Sequence, residues 1–153
     1  MRPIDEIDRK LLNILQLNSR ITIRELSDKL HLSTTPIHER IKKLEKNGYI
    51  KQYLTILDPK LLGKKLIVYI SVSLNNHTKE AIDDFEKEME KLDEVMECYY
   101  ISGNSDFLIK IHCDDMEYYH NFITYKFSII KNITQFYSSF VMAETKVKRH
   151  FKL

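Results

Sequence analysis

The feature that most constrains the fold is the segment from Ile21 to Ile50, which has the pattern of two short helices joined by a tight turn. Thr22 and Glu25 have the spacing of a capping box, in which the hydroxyl and the carboxylate accept hydrogen bonds from each other's backbone amides. Apolar residues then recur at i, i+3 and i+7, as Ile23, Leu26 and Leu30. This spacing predicts an amphipathic helix that begins after Thr22.

A second helix is predicted to follow the turn at His31-Leu32. Ser33 is a favourable N-cap, and Pro36 is tolerated in a first turn, where its missing amide would have no intrahelical partner. We therefore expect Ser33 to cap the amide of Thr35. The apolar stripe recurs at i, i+4 and i+7, as Ile37, Ile41 and Leu44. Gly48 then provides a left-handed stop.

The face opposite that stripe is polar at its start and basic further along. In a helix-turn-helix, the first residues of the second helix approach base edges, whereas Lys and Arg beyond them meet phosphates. The residues placed in a DNA-binding role are Ser33, Thr34, Thr35, His38, Arg40, Lys42, Lys43 and Lys46. The two threonines and His38 are predicted to contact bases and the cations to contact phosphates, although Arg40 can instead turn back into the bundle. Locally, the pattern fits a charged bundle that binds no DNA equally well.

Charge is divided unevenly along the chain, which favours the DNA-binding interpretation. The net charge is +2, but residues 1–65 hold 14 Lys and Arg against 8 Asp and Glu, a net of +6. Residues 66–153 hold 10 against 14, a net of −4. A basic half joined to an acidic half indicates separate tasks, with the basic half facing a polyanion.

Composition places the chain among globular proteins of the cell interior. With 43% hydrophobic residues it can bury a core, and Cys98 and Cys113 are too few for a disulfide framework. We find no secretory signal, and the longest apolar stretch, Leu66–Leu74, is about half the length of a membrane helix. A cytoplasmic protein with reduced thiols is expected.

The predicted fold class is α+β, with a winged helix-turn-helix domain at residues 1–50, a strand linker at 51–65 and a ferredoxin-like domain at 66–153. Asp5 and Asp8 open the first helix of the first domain. A strand is predicted at Tyr49–Leu57, across the boundary between the first domain and the linker. The βαββαβ elements of the second domain are Leu66–Leu74, Lys79–Leu92, Val95–Ile101, Phe107–Cys113, Met116–Phe127 and Ile133–Val147.

This architecture places both helices on one face of the sheet and leaves the other face uncovered. Ile67 and Tyr69 on the first strand and Leu108 on the third put apolar groups on that uncovered face. Such a face is usually buried against a partner. A homodimer would bury it and would pair two recognition helices for a two-fold operator.

Several motifs in this order and spacing resemble the Lrp/AsnC family, the feast/famine transcriptional regulators, over almost the full length. They are Ile4–Asp8, Leu32–Tyr53, Asp58-Pro59, Ser102–Ile109 with its G-x-x-D loop, and Val141–Lys146. The resemblance implies a sequence-specific transcriptional regulator that binds double-stranded DNA as a dimer, often assembled into tetramers or octamers. It also implies a C-terminal domain that senses an amino acid or a related metabolite at contacts between dimers.

Carried onto this sequence, the effector loop is Gly103, Asn104, Ser105 and Asp106. Asp106 either binds an ammonium group or braces the loop as a turn-capping carboxylate. Ser138 stands where many members have threonine and offers a hydroxyl to the ligand. The sequence departs from the family where Lys131-Asn132 replaces a Pro-Gly, and where the sensing surface is rich in aromatics, namely Tyr99, Tyr100 and Tyr137.

No catalytic, metal or cofactor site is predicted. The six histidines are scattered, without H-x-x-x-H or C-x-x-C pairs, and three separated glycines cannot form a phosphate-binding loop. Two alternatives share the architecture: a siroheme-decarboxylase-like enzyme and a metabolite-binding oligomer without DNA binding. The first would need histidine- and arginine-rich strands that this chain lacks, and the basic helix face argues against both.

Overall fold

The computed structural model describes residues 3–153. Its first part is helical, and the helices are α1 (Glu6–Leu15), α2 (Ile23–Leu30) and α3 (Thr34–Lys46). The apolar stripes predicted for these helices meet in a common core, whose buried members are Leu11, Leu15, Leu26, Ile37 and Ile41. Burying one such side chain contributes about 1.5–3 kcal/mol. Because helices this short are marginal in isolation, the shared core holds them.

The helix ends follow most of the predicted signals. Glu25 N donates to Thr22 Oγ1 at 3.2 Å and Thr22 N donates to Glu25 Oε2 at 2.8 Å, which confirms the capping box of α2. Asp5 and Asp8 form an equivalent capping box at the start of α1. Gly48 has a φ of 76°, in the left-handed region where a side chain would be strained, so the predicted stop after α3 is also confirmed.

The prediction that Ser33 caps the amide of Thr35 is wrong, since Ser33 makes no side-chain cap hydrogen bond. A serine cap usually bonds the amide of the second or third helical residue. Here the third is Pro36, which has no N–H, and the exposed Ser33 hydroxyl does not turn to the second. The first turn of α3 therefore keeps amides without a side-chain acceptor from Ser33.

The predicted strand Tyr49–Leu57 is not a strand in the structure. A strand needs a hydrogen-bonded neighbour, and within residues 3–153 no other segment forms a ladder with this one. Its apolar side chains lie in solvent, with Leu54 67%, Ile56 65% and Leu57 62% exposed. The alternating pattern that predicted a strand therefore occurs here in a segment that has no ladder partner within residues 3–153.

The second part is an antiparallel sheet with helices against it. Its elements are β1 (Leu66–Leu74), α4 (Lys79–Glu90), β2 (Val95–Tyr100), β3 (Phe107–Cys113), α5 (Met116–Phe122) and β4 (Ile133–Phe140). The described strands form one sheet in the order β2-β3-β1-β4. This element order confirms the predicted βαββαβ, α+β fold.

One sheet face carries the core. Val68, Ile70 and Val72 of β1 are fully buried against Phe85 of α4 and Phe122 of α5. The opposite face is only partly buried, and the register forms a row across it, in which Tyr99 opposes Leu108, Leu108 opposes Ser71 and Ser71 opposes Tyr137. The predicted alternation of β1 is therefore confirmed.

The helix predicted as Met116–Phe127 changes form in its second half. The α-helix ends at Phe122, and Ile123–Phe127 form a π-helical turn closed by Ser128 N donating to Ile123 O at 2.9 Å. At 100° per residue, positions five apart on an α-helix differ by about 140°. The wider turn instead lets Phe122 and Phe127 share the core, with ring centroids 5.8 Å apart.

The last strand is shorter than predicted, ending at Phe140 rather than Val147. Phe140 pairs with Val68 of β1, and Val141 N still donates to Ile67 O at 2.9 Å. Because the two strands are antiparallel, β4 runs toward the start of β1 at Leu66. Beyond Val141, β4 therefore has no residues of β1 left to pair with. The apolar alternation continues beyond that point without a strand to pair with.

The chain forms two compact units. One runs up to Ile56 and also includes Lys146–Leu153; the other is Leu57–Thr145. The first unit is therefore discontinuous in sequence. Among the described residues, no helix is long and apolar enough to cross a membrane.

Candidate DNA-binding helix and effector loop

The polar face of α3 is open to solvent. Of the predicted DNA-binding residues, those that are exposed are Ser33, Thr34, Thr35, His38, Lys42, Lys43 and Lys46. Ile37, Ile41 and Leu44 are buried on the opposite side of the helix. The structure thus brings these predicted residues together on one accessible face.

Arg40 differs from the other predicted residues because it points back into the bundle. Its Nη1 lies 2.6 Å from Asp5 Oδ2 and 2.7 Å from Asp8 Oδ1, and its side chain is 29% exposed. These carboxylates also form the capping box of α1. The backbone hydrogen bond from Asp8 and the Arg40 guanidinium hold the pKa of Asp5 below its usual value. Arg40 therefore ties α3 to the start of α1.

A second contact of α3 involves the chain that leaves it. Tyr53 Oη donates to Glu45 Oε1 at 2.9 Å. Burial, together with this carboxylate, raises the pKa of Tyr53 to about 12, so the phenol stays protonated and keeps donating. Sequence reasoning missed this pair because the two residues lie in different predicted elements.

The folded units divide charge more sharply than the sequence halves do. Residues 1–56 and 146–153 together hold 15 Lys and Arg against 7 Asp and Glu, a net of +8, whereas residues 57–145 hold 9 against 15, a net of −6. The difference arises because residues 146–153 carry four cations and lie in the first unit. Sequence reasoning had assigned them to the acidic domain.

In the predicted effector loop, Asp106 is a structural brace. Its Oδ2 accepts from Leu74 N at 2.7 Å and its Oδ1 lies 3.0 Å from His77 Nε2. Its backbone N donates to Val72 O at 2.8 Å. Gly103 has a φ of 142°, a backbone conformation that side chains disfavour. Asp106 thus fixes the loop to the end of β1, while Ser102, Gly103 and Asn104 stay exposed.

Ser138, the other predicted effector residue, lies away from that loop. Its Oγ accepts from Tyr119 Oη at 2.6 Å, and it pairs with Ile70 in the middle of β1. Ile70 is four residues from Leu74, or about 13 Å at about 3.3 Å per residue of strand. Within one chain, the structure does not bring Ser138 and the Asp106 brace together.

The turn at Lys131-Asn132, where the sequence departs from the family's Pro-Gly, is tied to the loop after β1. Asn132 has a φ of 72°, which Asn tolerates better than most residues. Its side-chain amide donates to Asn76 O at 3.1 Å, and Asn75 N donates to Asn132 O at 2.8 Å. Asn132 therefore takes the left-handed position that Gly would occupy. The aromatics of the predicted sensing surface are accessible, with Tyr99 50%, Tyr100 57% and Tyr137 63% exposed.

A helix-turn-helix with a free basic face, followed by a ferredoxin-like unit, defines a two-domain DNA-binding protein. Residues 4–51 match the family model for a winged helix-turn-helix DNA-binding domain, and residues 67–151 match the Lrp/AsnC ligand binding domain. Together these matches span most of the chain. The chain belongs to the Lrp/AsnC family of DNA-binding transcriptional regulators, which confirms the resemblance seen in the sequence.

Similar proteins support this assignment over the full length. The leucine-responsive regulatory protein of Escherichia coli (strain K12) is 34% identical over 145 residues, 95% of this chain and 88% of that protein. A transcriptional regulator from Neisseria meningitidis, solved as its L-Met complex, superposes with a TM-score of 0.92 at 32% identity, covering 97% and 96% of the two chains. E. coli AsnC gives a TM-score of 0.91 at 28% identity, covering 99% and 100%. The first two of these relatives are named as regulators, in agreement with a non-enzymatic role.

Proposed function

We propose that the chain acts in the cytoplasm as a homodimer that places one α3 helix from each protomer in successive major grooves of a two-fold operator. The observation that carries this proposal is the solvent-open basic face of α3. Thr34, Thr35 and His38, at the start of the helix, contact bases. Lys42, Lys43 and Lys46 contact phosphates, and Ser33 and the uncapped amides of the first turn add a site for a phosphate.

Arg40 has a different role in this proposal. Its guanidinium already bonds two carboxylates at 2.6 and 2.7 Å, and charge-assisted bonds of this kind are the strong ones. Leaving them for a phosphate would unpair Asp5 and Asp8. We therefore assign Arg40 to fixing the orientation of α3 rather than to contacting DNA.

Two surfaces support a dimer. The open sheet face carries the row from Tyr99 to Tyr137, and the segment 51–57 exposes apolar side chains that no strand within residues 3–153 pairs with. Apolar surface of this kind is typically buried by association. Assembly of dimers into tetramers or octamers is the further expectation from the family.

An amino acid or related metabolite is the proposed effector, supported by the L-Met complex of the Neisseria regulator and by the G-x-x-D loop. Since both oxygens of Asp106 are engaged, we assign the ligand contacts to Gly103, Asn104 and Ser105 and the bracing role to Asp106. Ser138 reaches the same ligand only if a second protomer supplies it.

Selection of bound sequences from a random duplex pool tests the proposal. We expect a two-fold motif whose half-sites lie about one helical turn, or a multiple of it, apart. A Thr34→Ala/Thr35→Ala variant is the matched comparison and should enrich a different or weaker motif. Enrichment of no motif by the parent protein would contradict sequence-specific binding.

Light scattering with and without L-Met and other amino acids tests the effector. A ligand-dependent change in assembly supports an effector at contacts between dimers. An unchanged mass with every amino acid removes that part of the proposal and leaves the DNA-binding part standing.

A further inference from the structure

Residues 146–153, here called the basic segment, form a cationic surface outside the recognition helix. Its cations are Lys146, Lys148, Arg149 and Lys152, and it holds no Asp or Glu. The whole segment is exposed. Among the described residues, none of these cations has an ion-pair partner, whereas Arg40, Lys110 and Lys126 do.

Two side-chain amides of α1 and the turn after it hold the basic segment by its main chain. Asn13 Nδ2 donates to Leu153 O at 3.2 Å, and Asn13 Oδ1 accepts from Leu153 N at 3.3 Å. Gln16 Nε2 donates to Phe151 O at 2.6 Å, and Gln16 Oε1 accepts from Phe151 N at 2.8 Å. Each amide therefore uses both its donor and its acceptor, and we call this pair the amide clamp.

The spacing of these hydrogen bonds shows that the basic segment is extended where the amide clamp holds it. Phe151 and Leu153 both present their N–H and C=O groups to the amide clamp, and residues two apart face the same edge only in an extended chain. Because the clamp bonds the main chain alone, it leaves every side chain of the segment free. In an extended chain, Lys148, His150 and Lys152 share one face.

A segment that is ordered before DNA binds has a smaller entropy cost of binding. Fixing one residue's backbone costs about 1–2 kcal/mol, so a loose basic tail loses part of its attraction to a polyanion when it becomes ordered. The amide clamp has already ordered the residues beside Lys152. The held cations belong to a unit whose net charge is +8, of which the segment supplies half.

We propose that the amide clamp of Asn13 and Gln16 holds the basic segment as a second phosphate-binding element of the DNA-binding unit, with the backbone of duplex DNA as its ligand. The proposal rests on the DNA-binding function proposed above. Its contacts are independent of sequence, since lysines meeting phosphates position a protein without reading bases. The segment thus strengthens binding to all duplexes, while α3 selects among them.

The first test removes the charges. Lys148→Gln/Lys152→Gln should lower the slope of log affinity against log salt by about two per protomer, at about 0.9 for each lost contact. At 0.15 M salt this corresponds to about thirtyfold weaker binding for each protomer, or about nine-hundredfold for a dimer, if affinity at 1 M is unchanged. The matched control is Lys79→Gln/Lys131→Gln, an equal charge change at exposed sites in the acidic unit, which should leave the slope unaltered.

The second test removes the amide clamp. Asn13→Ala/Gln16→Ala should speed hydrogen exchange at the backbone amides of Phe151 and Leu153. It should also lower the slope of log affinity against log salt, as the charge variant does. Lys10→Ala, on an exposed site of the same helix, should do neither. A thermal melt of each variant shows whether the helical bundle remains folded.

The outcomes separate this proposal from the broader one. If the parent binds duplex DNA and Lys148→Gln/Lys152→Gln binds with the same slope, the basic segment is not a phosphate-binding element. If exchange at Phe151 and Leu153 is unchanged in the Asn13→Ala/Gln16→Ala variant, the clamp assignment is wrong. If the parent binds no duplex at low salt, the proposed function itself fails.

Discussion

The recognition helix α3 and the loop Gly103–Asp106 differ in whether their charged side chains are free in solvent or already bonded within the fold. On α3 the predicted contact residues other than Arg40 are exposed and lie on one face. In the loop, Asp106 is already bonded to Leu74 and His77. The proposed roles account for this difference, because a surface for a polyanion presents its side chains in solvent, whereas a loop for a small ligand needs a fixed backbone. Charged side chains therefore differ in the two regions, since the lysines of α3 lie free in solvent and Asp106 is bonded within the fold.

The largest effect that separates the two regions is expected at the loop. Asp106→Ala leaves the Leu74 amide without its acceptor, and an unsatisfied buried donor costs about 1–3 kcal/mol. Urea unfolding of the parent and the variant measures this loss of stability. DNA binding by folded protein should change little.

Asp106→Asn is the matched control because it keeps an oxygen for Leu74 N. It should retain most of the stability and most of the effector response. A folded, stable Asp106→Asn protein that no longer responds to any amino acid would instead indicate that the carboxylate binds the ligand's ammonium group.

On the recognition helix, Thr35→Ala should change which sequence is preferred rather than how stable the protein is. A lost base contact costs about 1–3 kcal/mol at the position it contacted. Competition binding against operator variants, one base pair at a time, measures the change. Equal losses at every position would show that Thr35 contacts only the DNA backbone.

Arg40→Ala tests whether a cation of α3 acts inside the bundle. Removal of the partly exposed ion pairs should destabilise the first unit by about 1 kcal/mol. Lys42 is exposed on the same helix, and Lys42→Ala should leave stability unaltered. The melting temperatures of the two variants measure the difference. A variant at position 40 with parental stability would contradict the anchoring role.

The smallest effect is a dependence on pH. Because the folded-state pKa of Asp5 is lowered, its contribution to stability is complete above the unfolded value of about 3.9 and is lost as pH falls through the lower folded value. The free energy of unfolding should therefore fall more between pH 5 and pH 3 for the parent than for Asp5→Asn. An equal fall in both proteins would show that the Asp5 carboxylate does not contribute to stability.

Local signals explain what the sequence could predict. The capping box at Thr22, the start of α1 at Asp5, the stop at Gly48 and the faces of α3 and β1 depend on local sequence alone, and each was predicted. The capping box that Asp5 and Asp8 form was not predicted. The Lrp/AsnC resemblance added the order of the two domains. These features need no knowledge of distant contacts.

Tertiary contacts explain what the sequence could not predict. The predicted strand Tyr49–Leu57 is absent because a ladder needs a partner, and the predicted strand beyond Phe140 is absent because β1 begins at Leu66. The π-helical turn depends on Phe127 reaching the core beside Phe122. The amide clamp joins residues 135–140 positions apart in sequence, a separation at which no periodicity gives a signal.

The central claim is that the exposed face of α3 binds the DNA backbone. The most direct test is to measure how DNA binding depends on salt for two variants, Lys42→Ala/Lys43→Ala and Arg40→Ala. We predict that the lysine variant loses about two units of slope per protomer, while Arg40→Ala keeps the parental slope. A lysine variant with the parental slope and affinity at equal salt would contradict the account.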